Sequence, residues 1–269
     1  MNKIIKNQLY LLFKKKNVYI FFIIICLILM QIYNVYINQT VENINATYLD
    51  SILKIYGGIY KNTSILNIVY WILLIILLFI LTENYNGIFY GFDIMLLSRS
   101  DSKAQWWISK IITSLIITVI YAFTIIILSK LLSHIVFKSD YLTEYGKIYY
   151  PNIDLDMISS IKIQLFLIGI FVTGFLSIIT LFQILNLLFN NNVQSYVIFI
   201  IISIVLVILY QNNLIPRLLS PLYYPSILNL NTNTDNIFIC ILANILLTFI
   251  NIIISTIIVI KKDYSEFIN

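Results

Sequence analysis

Charged residues are scarce in this chain. Only 11% of its 269 residues are Asp, Glu, Lys or Arg, whereas a soluble domain is roughly a quarter charged. Hydrophobic residues make up 60%, and the mean hydropathy is +0.93. This composition excludes an ordinary soluble domain and predicts a polytopic membrane protein. Because each span consumes about 20 residues to cross about 30 Å of hydrocarbon, we expect one transmembrane domain over residues 1–269.

Histidine, cysteine and glycine are also few, and each shortage excludes a class of chemistry. The single histidine, His134, can neither complete a zinc site nor serve as a well-placed base for a nucleophile. None of the seven glycines opens a GxxxxGK[ST] phosphate loop, so ATP hydrolysis by that route needs another subunit. Cys26 and Cys240 lie in apolar runs and are interpreted as small hydrophobes. We therefore predict that the chain is no enzyme, with no catalytic residue, metal site or cofactor.

The formal net charge of +5 does not indicate nucleic-acid binding. The basic residues stand beside apolar runs, where they orient a protein in its membrane and contact anionic lipid head groups. We therefore predict membrane lipid as a partner and exclude nucleic acid.

Six apolar runs are long enough to span, and their centres contain no Asp, Glu, Lys, Arg or His, which are costly in hydrocarbon. Backbone groups in lipid must be paired within the protein, which favours helices. The runs cover about 18–37, 65–82, 107–129, 163–189, 195–210 and 236–260. The predicted fold is an all-α, multi-pass membrane protein with six transmembrane helices.

Lysines cluster at the two ends of the chain. Five precede the first span and two follow the last: Lys3, Lys6, Lys14, Lys15, Lys16, Lys261 and Lys262. The positive-inside rule therefore predicts that both termini and the loop 83–106 are cytoplasmic. Apolar residues at near-helical spacing predict an amphipathic interfacial helix over 1–17. We expect it to be retained, because no small-residue cleavage pattern follows the first apolar run.

The main polar residues within the predicted spans are Gln183, Asn186, Asn244, Asn251 and Ser255. Asn244, Asn251 and Ser255 are spaced i, i+7 and i+11, which places them on one helix face. These groups either line a substrate path or form hydrogen bonds between helices, and the second interpretation is favoured.

The segments between spans on the other side are longer than simple turns and are expected to contain short interfacial helices. The segment 211–235 holds Pro216, Pro221 and Pro225, which cannot belong to one straight helix. It fits either a re-entrant or surface-lying pair of half-helices or an ordered loop with aromatic anchors.

The loop 83–106 carries apolar residues that do not span. A short helix there would bury them in the membrane interface or in the groove of a partner protein, whereas the alternative is a helix touching only lipid. Trp106 and Trp107 suit the interface at the start of the third span, and we expect the Lys110 ammonium to reach back to the head groups.

Together, the amphipathic amino-terminal helix, the six spans, the acidic residue closing the second span and the sequence G…LLSRS…WWxSK resemble the type-two permeases of ABC exporters. The resemblance implies a coupling helix at about 87–100, seated in a cleft of a separate ATPase subunit, and an elbow helix at 1–17. The residues assigned to this contact are Glu83, Gly87, Phe92, Leu97 and Arg99. It also implies a second permease copy, as a homodimer or heterodimer, in a bacterial cytoplasmic membrane. A short fifth span and a long loop over 130–162 depart from the family pattern.

The function implied by the resemblance is ATP-driven export by alternating access. The expected substrate is a hydrophobic or amphipathic compound such as a peptide antibiotic, a bacteriocin or a drug. A membrane immunity or assembly protein that acts by binding alone is the alternative. A transporter that does not use ATP is a third possibility, although the absence of intramembrane charges counts against it.

Overall fold

A computed structural model describes residues 15–59, 65–86, 102–137, 144–149, 160–189, 191–226 and 234–262. Within these ranges the chain is all-helical, which confirms the predicted fold class. The α-helices in chain order are α1 (Lys15–Glu42), α2 (Tyr48–Tyr56), α3 (Ile65–Asn86), α4 (Lys103–Val136), α5 (Glu144–Tyr149), α6 (Ser160–Phe189), α7 (Asn192–Gln211) and α8 (Thr234–Lys261). Six of them, all except α2 and α5, are long and apolar enough to cross a membrane. The chain is therefore a multi-pass membrane protein.

All six long helices extend beyond the spans predicted from hydropathy, and α4 does so most. It has 34 residues, about 51 Å at 1.5 Å per residue, where the sequence predicted residues 107–129. Ser102 caps its start by accepting a hydrogen bond from the Gln105 N–H at 3.2 Å. Near its end, the Ser133 hydroxyl lies 2.9 Å from the Ser51 hydroxyl of α2. A span predicted from hydropathy ends where such polar residues begin. The helix continues past them, because their side chains form hydrogen bonds inside the protein.

Helix α6 lies at the centre of the bundle and packs against α4, α7 and α8. The α6–α8 pair is in closest contact, with polar residues of α8 turned towards α6. The opposite face of α8 is exposed and apolar, with Phe238, Leu246 and Ile253 among its residues. This combination suits a helix that contacts lipid on one side and the protein on the other.

Helix α2 is buried, contrary to the prediction of interfacial helices in the long loops. It packs against α1, α4 and α6 rather than lying on the surface. Its first turn holds a capping box, in which the Thr47 N–H and hydroxyl both donate to the Asp50 carboxylate, at 2.9 and 2.8 Å. The box pairs the main-chain N–H groups of Thr47 and Asp50 at the buried start of α2.

The bundle has two distinguishable ends. At the first, named the Lys262 end, the Lys103 ammonium donates to the Lys262 carbonyl and the Lys262 ammonium donates to the Leu187 carbonyl. At the opposite end lie α2 and a segment of two 3₁₀ turns, Arg217–Leu219 and Pro221–Tyr223. We call residues 217–226 the plug and this end the plug end. Within the described residues of the segment 211–235, the plug forms two 3₁₀ turns rather than half-helices, which agrees with the ordered-loop alternative.

Candidate functional site

The residues predicted to contact an ATPase fall largely outside the described part of the chain. Gly87, Phe92, Leu97 and Arg99 lie between residues 86 and 102, and the same is true of the predicted coupling helix. Glu83 belongs to the last turn of α3. The predicted elbow helix over 1–17 also lies almost wholly outside the described residues, which begin at Lys15. These assignments stay predictions.

The start of α4, directly after the predicted coupling segment, is anchored by aromatic residues. The Trp107 indole N–H donates to the Ser255 hydroxyl of α8 at 3.1 Å. The Lys110 ammonium lies 4.4 Å from the Trp106 ring centroid, within the range of a cation–π contact. Lys110 is only 1% exposed, so its ammonium does not reach outward as the sequence suggested. Its charge is placed against an aromatic face and inside the protein.

A row of hydrogen bonds joins α6 to α8 and begins at the plug. The Asn244 amide donates to the Tyr224 carbonyl of the plug at 2.9 Å and to the Thr173 hydroxyl at 3.4 Å. The Ser177 hydroxyl donates to the main-chain carbonyl of Asn244 at 2.7 Å. One amide therefore connects the plug with two transmembrane helices.

The row continues towards the Lys262 end. The hydroxyls of Ser177 and Thr248 lie 3.2 Å apart, and the Asn251 amide donates to the Thr180 hydroxyl at 3.3 Å. We call this set of residues the polar ladder: Thr173, Ser177, Thr180, Asn244, Thr248 and Asn251. Its members are buried or partly buried, and Ser255 extends the same α8 face to Trp107.

Two further amides predicted to line a path lie on α6. The Gln183 amide donates to the Ser114 hydroxyl of α4 at 2.6 Å, which is another interhelical bond. The Asn186 carbonyl oxygen is buried and has no hydrogen-bond partner among the described residues. Gln183, Asn244 and Asn251 form hydrogen bonds between helices, as the favoured interpretation expects, and their assignment to a substrate path stays a prediction. For Asn186 the structure shows no such bond.

The plug approaches two glycines very closely. A Cβ on Gly174 of α6 would lie 2.4 Å from the Pro225 Cα and N atoms. A Cβ on Gly58, after α2, would lie 2.2 Å from the Ser226 Cβ, and Gly58 also has a φ of +104° that side chains disfavour. The Ser226 hydroxyl donates to the Ile59 carbonyl at 3.0 Å. The plug is thus seated against α2 and α6 by backbone contact.

Arg217 forms hydrogen bonds within the plug and between the plug and α8. Its guanidinium donates to the Tyr223 carbonyl at 2.9 Å, to the Ser226 carbonyl, and to the Cys240 sulfur of α8 at 3.3 Å. Burial lowers the pKa of this guanidinium. The sequence offered no specific indication of this arrangement, because Arg217 stands in a loop where an exposed base is expected.

Cys26 and Cys240 are not joined by a disulfide. Cys26 is exposed on α1, whereas Cys240 is partly buried beside Arg217. His134 packs against Tyr48 with ring centroids 5.1 Å apart, which fits a structural role.

An aromatic cluster fills the space between α2, α3 and α6. Trp71 contacts Phe171 and Phe175, with ring centroids 5.8 and 6.1 Å away, and Tyr56 contacts Phe171 at 5.6 Å. The polar atoms of Tyr56, Tyr70 and Trp71 are buried with no hydrogen-bond partner among the described residues. Such orphaned groups cost about 1–3 kcal/mol each. These buried polar atoms could not be predicted from the sequence, because a hydropathy pattern does not distinguish aromatic residues from other apolar residues.

Alkaline pH is expected to destabilise the plug end. Burial raises the pKa of Tyr145 and Tyr223 to about 12, compared with an ordinary value of 10. Because the folded state holds these protons more tightly, their contribution is complete below pH 10 and is lost as the pH rises towards 12. Thermal unfolding in detergent should show a Tm that falls over this range. The double variant Tyr145→Phe/Tyr223→Phe should show a shallower fall, and an equal slope would contradict the assignment.

Comparison with known proteins yields no match: no family model, curated protein or solved structure aligns significantly with the chain.

Proposed function

We propose that this chain is the permease subunit of an ATP-driven exporter in a bacterial cytoplasmic membrane. Its substrate is a hydrophobic or amphipathic compound, such as a peptide antibiotic, a bacteriocin or a drug. The ATP is hydrolysed by a separate ABC ATPase subunit that binds the segment between α3 and α4. The Lys262 end faces the cytoplasm, because lysines of both termini belong to this side.

The observation that carries the proposal is the continuous helix α4. It starts at Lys103, shortly after the predicted ATPase contact, and runs without interruption to the plug end, where Ser133 contacts α2. A long rigid helix transmits displacement from one end to the other. ATP-driven movement of the coupling segment would therefore reach α2, and through α2 the plug that rests on it.

Helix α4 is also tied to its neighbours along its length. The Tyr121 hydroxyl donates to the Leu74 carbonyl of α3 at 2.7 Å, and Gln183 of α6 donates to Ser114. Displacement of α4 would carry these helices with it. This coupling supports alternating access by movement of a whole half-transporter.

The interior of the described bundle is filled with packed side chains, including Trp71, Phe79, Phe171 and Phe175. A substrate path is therefore expected between two permease copies rather than through one. The exposed apolar faces of α7 and α8 supply surface for contact with lipid or with the second copy.

The test is copurification of an ATPase with the tagged protein from its native host in mild detergent. The double charge reversal Glu83→Lys/Arg99→Glu should abolish copurification and export. The control Lys130→Glu reverses one charge near the opposite end of α4 and should leave the ATPase bound. If no ATPase copurified with the wild-type protein, and the double reversal left activity intact, the proposal would fail.

A non-transporting immunity or assembly protein is the second candidate, and the polar ladder favours it. Asn244 and Asn251, which were candidates for lining a path, are engaged in bonds between helices. A protein that acts by binding alone needs no polar path. It would protect cells in the absence of any ATPase, whereas the exporter would lose its activity when the ATPase is deleted.

A further inference from the structure

Two hydrogen bonds join the first turns of α4 to the end of α8, at the Lys262 end of the bundle. The Lys103 ammonium donates to the main-chain carbonyl of Lys262, and the Trp107 indole N–H donates to the Ser255 hydroxyl at 3.1 Å. Lys103 and Trp107 are spaced i, i+4, whereas Ser255 and Lys262 are spaced i, i+7, so that each pair lies on one side of its helix. We call these four residues the clamp.

The two bonds of the clamp lie at different depths. They are about 10 Å apart along α8, at 1.5 Å per residue. Because Lys103 pairs with the later residue of α8 and Trp107 with the earlier one, the two helices are antiparallel here. Two bonds at separate levels oppose both sliding and rotation of α4 against α8.

Each bond of the clamp is placed where it stabilises the contact. The side chains of Trp107 and Ser255 are buried, so that water does not compete for their hydrogen bond. The Lys103 ammonium contacts a carbonyl at the C-terminal end of α8, where carbonyls lack partners within the helix and a cation is favoured by the helix dipole.

The clamp extends from α8 to α6. The Lys262 ammonium donates to the main-chain carbonyl of Leu187, in the last turn of α6. Further along the bundle, the polar ladder joins the same two helices. At the Lys262 end, the start of α4 is therefore linked to α8, and α8 is linked to α6.

The clamp lies directly after the segment that we expect to bind the ATPase. Lys103 is the first residue of α4 and Trp107 follows one turn later. At its other end, α8 reaches the plug, since the Asn244 amide donates to the Tyr224 carbonyl. Displacement of the start of α4 would thus reach the plug through α8, in addition to the route through α2.

We propose that Lys103 and Trp107 are positioning residues that pass movement of the segment between α3 and α4 to α8 and α6. This role rests on the proposed transport function. The clamp as a physical connection between the helices does not, and it is tested on the purified chain alone.

A double-mutant cycle tests the clamp in the purified full-length protein in detergent. Ser255→Ala should lower the Tm of the wild-type protein by about 2 °C or more, because the Trp107 N–H loses its acceptor. In a Trp107→Phe background the same substitution should change the Tm by less than about 1 °C, since the donor is already absent. Equal losses of Tm in the two backgrounds would refute the clamp, whatever the function of the protein.

The two native thiols report the movement of α8 in the complex with the copurified ATPase. Cys240 of α8 is partly buried, and the exposed Cys26 of α1 serves as the internal reference. Maleimide labelling of Cys240 relative to Cys26 is measured by mass spectrometry, without nucleotide and with ATP and vanadate. We expect nucleotide to change this ratio at least threefold in the wild-type complex. In Lys103→Met/Trp107→Phe the ratio should not change, although the ATPase stays bound and hydrolyses ATP.

Two variants separate positioning from a general structural role. Lys103→Arg keeps a donor and a positive charge, and it should restore the labelling change when Trp107 is intact. Lys261→Met removes the exposed base beside Lys262 and should behave like the wild-type protein. A wild-type labelling change in Lys103→Met/Trp107→Phe, or no change in the wild-type complex, would refute the positioning role. Failure of any ATPase to copurify would instead refute the proposed function, and the positioning role with it.

Discussion

Gly174→Ala is expected to lower the Tm of the purified protein by about 5 °C or more, since overpacking of a closed contact costs about 1–3 kcal/mol or more. The added Cβ would lie 2.4 Å from the Pro225 Cα and N atoms, and 2.6 Å from the Tyr224 carbonyl carbon. All three are main-chain atoms, so that no side-chain rotation relieves the clash. The plug would have to move away from α6, which would also strain the hydrogen bond from Asn244 to the Tyr224 carbonyl. Thermal unfolding in mild detergent measures the effect.

Gly169→Ala is the matched control, because it makes the same substitution on the same helix. Its Cβ would lie 3.0 Å from the terminal methyl carbon of Ile241, the flexible end of a side chain that can turn aside. Alanine is favoured over glycine in a helix by about 1 kcal/mol. We therefore expect an unchanged or slightly higher Tm for Gly169→Ala. Equal stability of the two variants would show that the plug does not rest on Gly174.

Asp50→Ala is expected to destabilise the protein by about 2–4 kcal/mol. The Asp50 carboxylate is 0% exposed and accepts from both the N–H and the hydroxyl of Thr47. Its removal leaves the Thr47 N–H without this acceptor at the buried start of α2. Loss of the capping box should destabilise α2. The contact between Gly58, which follows α2, and the plug should then weaken as well. The measurements are the Tm in detergent and the protease sensitivity of the segment 42–65.

Thr40→Ala is the control for this variant. Thr40 is exposed in α1, and its hydroxyl donates to the Ile37 carbonyl at 2.7 Å. Its loss should change the Tm by less than about 1 °C, since exposed helical positions contribute little. A comparably small effect of Asp50→Ala would mean that water reaches the start of α2 and replaces the carboxylate.

The spans were predictable because lipid imposes a local rule. Each apolar run must be long enough to cross and must pair its own backbone, so the hydropathy of about 20 consecutive residues suffices. The same rule made the helix ends unpredictable. Polar residues such as Ser133 end an apolar run, but they stay helical because they are paired with a neighbour that the sequence does not identify. Helix α4 was therefore underestimated at both ends.

The roles of individual polar residues could be predicted only in part from the sequence. The spacing of Asn244, Asn251 and Ser255 placed them correctly on one face of α8. The spacing did not predict which neighbour that face contacts. The structure identifies α6 and Trp107 as the partners. The neighbour of Lys110 was likewise not predictable from the sequence. A base near the start of a span can extend to the lipid head groups, or it can turn inward and pack against an indole ring.

By itself, the sequence determined an all-helical membrane protein of six spans, because the energy of burying apolar length in lipid depends on neighbours along the chain. Only the tertiary structure decided that α2 is buried, that the plug is seated on Gly58 and Gly174, and that Arg217 donates to two main-chain carbonyls of the plug. These features depend on contacts between residues far apart in sequence, such as Ser226 with Ile59 and Asn244 with Tyr224. A glycine that permits close backbone approach and an arginine that donates to main-chain carbonyls have no local sequence pattern, so their roles are visible only when the helices are packed.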